Sequence, residues 1–122
     1  MTVQQAIKQT DEIKPNAFSA RAKTEWLNAL EGRIAAGVFL WPPAEIAMLR
    51  YTWPHDKNTE LLAAPPHDDI YALWLQAKID EANGEYNKYQ NTMQIYNEHY
   101  GSFVRWFVSL YDPAQGYGSI NN

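Results

Sequence analysis

Residues 82–103, ANGEYNKYQNTMQIYNEHYGSF, hold four tyrosines and four asparagines. A low-complexity tail, a row of stacking platforms for nucleic acid and one face of a packed helix would all fit that composition. Spacing separates them. Ala72, Leu75, Ile79, Ala82, Tyr86, Tyr89, Met93, Tyr96, Tyr100, Phe103, Phe107 and Leu110 follow one another at alternating steps of three and four. That is a heptad seam, an apolar stripe along one side of a helix. The tyrosines are therefore expected to pack. The phase runs through Asn83-Gly84. It predicts either one helix of about forty residues, ~60 Å long, or two helices with a kink at Gly84. Glycine costs ~1 kcal/mol against alanine inside a helix, which leaves room for the kink. Ile70, Trp74 and Ala77 add a second apolar line early, and Val104 and Val108 add one late. A buried tyrosine hydroxyl needs a partner, and Asn83, Asn87 and Asn91, four residues apart beside the seam, are the candidates.

Upstream, TVQQAIKQTDEI reads as a short helix. Thr2 and Gln5 have the spacing of a capping box, Val3, Ile7 and Thr10 share a face, and Pro15 ends it. Ser19 caps a second helix, roughly residues 20–36. Ala22, Trp26, Leu30 and Ile34 step by four with Leu27 alongside, Arg21 and Glu25 pair on the other face, and Gly37 is the expected stop. Residues 38–66 change character, with WPP, YTWP and AAPP. Trp41, Trp53 and Ala64 precede proline and are biased to extended backbone. HDKN at 55–58 reads as a turn, and AEIAMLR as a helical turn or a short extended piece. Trp41, Tyr51, Trp53, Leu61 and Leu62 should pin this linker in an ordered state. Asp68 or Asp69 then caps the seam-bearing region, and Pro113 ends it.

The expected architecture is all-α: a short N-terminal helix, a second helix, an irregular Pro/Trp-rich segment and a long C-terminal helical region. At 122 residues the chain has the length of one domain, taken as 1–112. Residues 113–122, PAQGYGSINN, read as a flexible tail.

Charge and composition narrow the function. Net charge is −4. Residues 1–50 carry six basic and five acidic side chains, and residues 51–122 carry four and nine. Gripping a phosphate backbone needs clustered Lys and Arg. Between Ile79 and Tyr100 the only cation is Lys88, so base stacking of the single-strand type is disfavoured. The absence of cysteine excludes disulfides, thiolate zinc sites and cysteine nucleophiles. No signal peptide opens the chain. The longest apolar run, AAGVFLW, falls short of the ~20 residues of a membrane span, so a soluble protein is expected, with no membrane partner.

No histidine of His55, His67 and His99 sits at i, i+3 or i, i+4 from another. His67-Asp68-Asp69 at a helix start reads as capping, and His55-Asp56 as a polar turn. Asp80, Glu81 and Glu85 form an acidic cluster, but adjacent residues diverge by about 100° on a helix. With Lys78 and Lys88 nearby, a solvated outer face is expected. No phosphate loop, nucleophile elbow or His-Glu-x-x-His is present. No catalytic, cofactor-binding or metal-ligating residue is expected. The candidate residues are a packing seam or protein interface, Tyr86, Tyr89, Met93, Tyr96, Tyr100, Phe103 and Phe107, with Trp26, Leu30 and Trp74 as core anchors. The first two helices look too short to cover a forty-residue stripe, so part of it is expected to meet another subunit.

Three stretches, DEIKPNAFSARAKTEWLNALEGRIAAGVF, YTWPHDKNTELLAAPPHDDIYALWLQAKIDEANGEYNKYQNTM and YNEHYGSFVRWF, resemble small proteins encoded among the head-to-tail assembly genes of prophages and tailed phages of Gram-positive hosts. The resemblance spans about Asp11 to Tyr111 and is to the head–tail connector, or neck adaptor, class. It implies a structural protein of the virion without catalysis, located at the head–tail junction and in the host cytoplasm during assembly. Its partners would be copies of itself in a ring, the portal, and neighbouring neck and tail proteins, with DNA passing through the lumen unbound. The last helical region is long for a connector. The rival expectation is a phage-encoded adaptor or regulatory protein that dimerises through the same seam.

Overall fold

A capping box starts the first helix, α1 (Val3–Ile13). The Thr2 hydroxyl accepts from the Gln5 N–H at 3.1 Å, and the Gln5 side chain accepts from the Thr2 N–H at 2.9 Å. Val3, Ile7 and Thr10 are buried, as their common face requires. In this computed structural model, residues 1–111 are described, so the expected tail lies outside the described residues.

The second helix, α2 (Ala20–Gly37), is capped by Ser19, whose hydroxyl accepts from the Ala22 N–H. Its end departs from expectation. Gly37 is still helical, and the residue that turns left-handed is Leu40, φ 56°. The N–H groups of Phe39 and Trp41 reach back to the Ile34 and Ala35 carbonyls, which fixes the reversal three residues beyond the glycine. The short helix α3 (Pro43–Met48) follows, with proline at its start and no buried residue. The Arg21–Glu25 pair is replaced, since Glu25 meets Arg50 at 2.8 Å across the loop. Tyr51 and Leu61 are buried, while Trp41, Trp53 and Leu62 are half-buried. A single bridge pairs Thr2 with Glu60, and no strand forms among the described residues.

A 3-10 turn (His67–Asp69) leads into α4 (Ile70–Ala82), which is followed by α5 (Tyr86–Tyr111). Neither aspartate caps α4. Asp69 bonds His99, and Asp68 takes the Met1 ammonium at 3.0 Å. The break between α4 and α5 is larger than a kink. Gly84 has φ 75°, a left-handed conformation that costs other L-residues about 1–2 kcal/mol. Its N–H bonds the Glu81 carbonyl, and the Glu85 N–H bonds the Asp80 carbonyl. This is a Schellman motif, which closes a helix and turns the chain away.

The chain therefore reverses. Trp74 faces Tyr96, Asp69 meets His99, and His67 lies against Phe103 and Trp106. α4 and α5 are antiparallel and packed on each other, with Trp74 of the second apolar line against Tyr96 of the seam. α1 and α2 pack on α4 from other directions. The central helix is consequently buried around most of its girth, including Ile70, Tyr71, Trp74, Leu75, Ala77 and Ile79. A helix apolar on all sides is what such a position selects.

Asp80 was expected on a solvated face and is fully buried instead. The end of α1 crosses it, and Lys14 Nζ sits 2.7 Å from Oδ1. Glu81 and Glu85 do face solvent, beside Lys78 and Lys88. Asn83, Asn87 and Asn91 are exposed, so the predicted service to buried tyrosine hydroxyls is not their arrangement.

Candidate functional site

The rings of α5 form a continuous ladder. Phe39 stacks on Phe107 at 4.8 Å, and Phe107, Phe103 and Tyr100 follow in edge or tilted contacts. Tyr100 stacks on Tyr96 at 5.6 Å, and Tyr96 meets Trp74 at 5.4 Å. Trp74 donates from Nε1 to the Trp26 carbonyl at 2.8 Å and lies under the Arg33 guanidinium and the Lys78 ammonium. Trp26 in turn meets Phe18 edge-on. Such pairs contribute about 0.5–1.5 kcal/mol beyond area burial, so the ladder reinforces α5 between Tyr96 and Phe107.

Of the expected seam and anchor residues, Tyr96, Phe103, Trp74 and Leu30 are buried, and Tyr89, Met93, Tyr100, Phe107 and Trp26 are half-buried. Tyr86 stands apart, 63% exposed beside the Gly84 turn. Burial pushes the Tyr96 hydroxyl well above the ordinary tyrosine value. It raises Tyr100 too, against the opposing pull of Arg33. Both hydroxyls stay neutral in the physiological range, as packing rings should.

What remains on the surface is unevenly placed. At the turn end of the hairpin lie Tyr86 and Ile13, the latter one residue from the Lys14–Asp80 pair. At the opposite end lie Leu40, next to the Phe39–Phe107 stack, and Trp106 and Val108 on α5. Leu40 is 76% exposed although its backbone is left-handed. Ile95, midway along α5, and Met48, at the end of α3, are exposed as well.

Groups suited to chemistry are sparse. His99 Nδ1 lies 2.6 Å from Asp69 Oδ2 on a half-exposed surface. His55 stands 3.9 Å from Asp56, whose carboxylate is engaged by the Thr52 N–H. That backbone hydrogen bond holds Asp56 below the usual aspartate value. No group of three or more His, Asp or Glu able to hold a metal occurs among the described residues. Nor is any helix among them long and apolar enough to cross a membrane.

Sequence reasoning missed Glu31. It is fully buried on α2. One carboxylate oxygen accepts from the Tyr71 hydroxyl, and the other from the Tyr51 hydroxyl at 2.8 Å and the Leu62 N–H at 3.0 Å. The Tyr71 oxygen itself accepts from the Ala63 N–H at 2.8 Å. Burial drives Glu31 above the ordinary glutamate value, outweighing the three donors. Burial and then the Glu31 charge drive both tyrosines upward. A signal was present in the sequence: Glu31 falls next to Leu30 and four residues after Leu27, on the apolar side of its helix.

Comparison with protein-family models, curated proteins and solved structures finds no match to this chain.

Proposed function

We propose that this chain is a structural component of a tailed-phage virion, a head–tail connector subunit that assembles beneath the portal and performs no catalysis. The reading begins from the resemblance of residues 11–111 to such proteins. The helix order is consistent with it: a short first helix, a longer second one, an irregular segment and further helices.

The observation that carries the reading is that exposed apolar side chains occur at both ends of the hairpin, with Ile95 and Met48 exposed elsewhere. Tyr86 and Ile13 lie at one, and Leu40, Trp106 and Val108 at the other. Two unlike patches suit a head-to-tail contact, which closes into a ring where the rotation permits. In such a ring each copy would meet two sisters, the portal and the next neck or tail protein. A net charge of −4 suits a wall along which DNA slides without adhering. The rival adaptor would join two copies through the seam, yet Tyr96 and Phe103 are already covered within one chain. That favours the connector over the adaptor.

The test is sedimentation and electron microscopy of the purified chain, alone and with the portal protein encoded by the same phage, together with inspection of the neighbouring genes. Expected are ring-shaped or portal-bound particles and flanking portal and capsid genes. A monomer at every concentration that ignores the portal, encoded away from such genes, contradicts the reading.

A further inference from the structure

Arg50, Lys78 and Lys88 each meet a carboxylate within 3.3 Å. Arg33, exposed on α2, does not. Its guanidinium carbon lies 5.0 Å from the centre of the Trp74 ring, and no acceptor among the described residues takes its N–H groups. A guanidinium held over a ring keeps its planar fork of donors available. Tyr96 is only 5% exposed, yet its hydroxyl has no hydrogen-bond partner among the described residues. Tyr51 and Tyr71, also buried, both give theirs to Glu31. The Tyr96 oxygen is not sealed in, because the buried side-chain atom left without a partner among the described residues is Asp80 Oδ2. It therefore reaches the surface. The Tyr100 hydroxyl is likewise unengaged among the described residues, and its ring stacks on Tyr96 at 5.6 Å.

These three groups share one place in the fold. α2 and α5 both pack on α4 but not on each other, and Trp74 of α4 meets Arg33 on one side and Tyr96, at 5.4 Å, on the other. Burial raises the pKa of both tyrosines, and in each the Arg33 charge opposes that rise. We propose that the cleft between α2 and α5 binds a compact oxyanion, a carboxylate or a phosphate group, through the Arg33 guanidinium and the Tyr96 and Tyr100 hydroxyls. A positive charge and three sets of donors without acceptors suit such a group, since hydrogen bonds to an ion are stronger than neutral ones. The Trp74 ring, itself 3% exposed, holds Arg33 in place before the anion arrives. Lys78, 5.1 Å from the same ring, adds positive charge that it shares with Glu81. The site uses none of the exposed apolar residues at the hairpin ends, so it stands or falls independently of the assembly reading.

The experiment is an NMR titration of the full chain with inorganic phosphate and, separately, with acetate, at constant ionic strength. The signals followed are the Arg33 Nε–H and the Tyr96 and Tyr100 rings. All three are expected to shift together and to saturate at one midpoint. A lower midpoint for phosphate identifies the natural group as a phosphate, and a lower one for acetate identifies it as a carboxylate. Arg33→Lys keeps the charge and loses the fork, and Tyr96→Phe keeps the ring and loses the hydroxyl. Each should weaken binding by about tenfold. Tyr100→Phe, at a half-buried position, makes the same comparison if Tyr96→Phe does not fold. Shifts that grow in proportion to added anion without saturating, or variants that bind like the wild type, overturn the site.

Discussion

Leu40 and Asp80 show how a single side chain can depart from its local rules. Leu40 holds a left-handed backbone while most of its surface faces water. Asparagine tolerates that conformation far better. Leu40→Asn should therefore raise the stability of the isolated chain by about 1 kcal/mol, measured by urea denaturation, while weakening any self-assembly that uses this end. Lys14→Ala should do the reverse to the interior. It strands the fully buried Asp80, whose Oδ2 already lacks a partner, and should cost about 3 kcal/mol in the same measurement. Glu31 carries the pH dependence. Its folded value lies above its unfolded one, so its contribution is complete below pH 4.5 and is lost as pH rises through the folded value. The difference in melting temperature between wild type and Glu31→Gln should therefore shift toward the variant as pH rises above 4.5 and through the folded value.

At the scale of elements, the Gly84 turn decides the architecture. A Cβ there would meet no atom within 4 Å, so the obstacle to substitution is the positive φ and not space. Gly84→Ala should cost about 1–2 kcal/mol without changing which faces pack, a loss readable in the urea midpoint. Leu75, fully buried in the central helix, is the contrasting case. Leu75→Ala should cost about 2–5 kcal/mol, because α4 is enclosed by other helices and cannot easily collapse. Much of this level was legible in the sequence. The seam, the Thr2 and Ser19 caps and the Pro15 stop are local signals, and each acts within a turn or two of helix. The reversal was harder to see, because the heptad phase happens to continue across it. The stripe allowed one long helix or two helices kinked at Gly84, and it is two antiparallel helices. Ala82 and Tyr86 are exposed for the same reason: they flank the turn, where the two halves have not yet come together.

At the scale of the whole molecule, the missed buried polar pairs are long-range. Lys14 finds Asp80 across 66 residues, and Tyr71 finds Glu31 across 40. No periodicity encodes such pairs. The exposed candidates were partly legible, since Tyr86 belongs to the seam. Leu40 was not, because its exposure depends on where the chain leaves α2. Closing the seam inside one chain also changes what a second copy can touch. The buried rings are removed from the surface, and under the proposed assembly contact would pass to the two ends of the hairpin. The most direct test is native mass spectrometry of Leu40→Glu and Tyr86→Glu, each alone and then mixed in equal amounts. If unlike ends join, each variant alone loses the larger assemblies, and the mixture gains a dimer that goes no further, because the remaining ends are both blocked. A mixture that grows past two copies, or single variants that assemble like the wild type, would contradict head-to-tail contact through these ends.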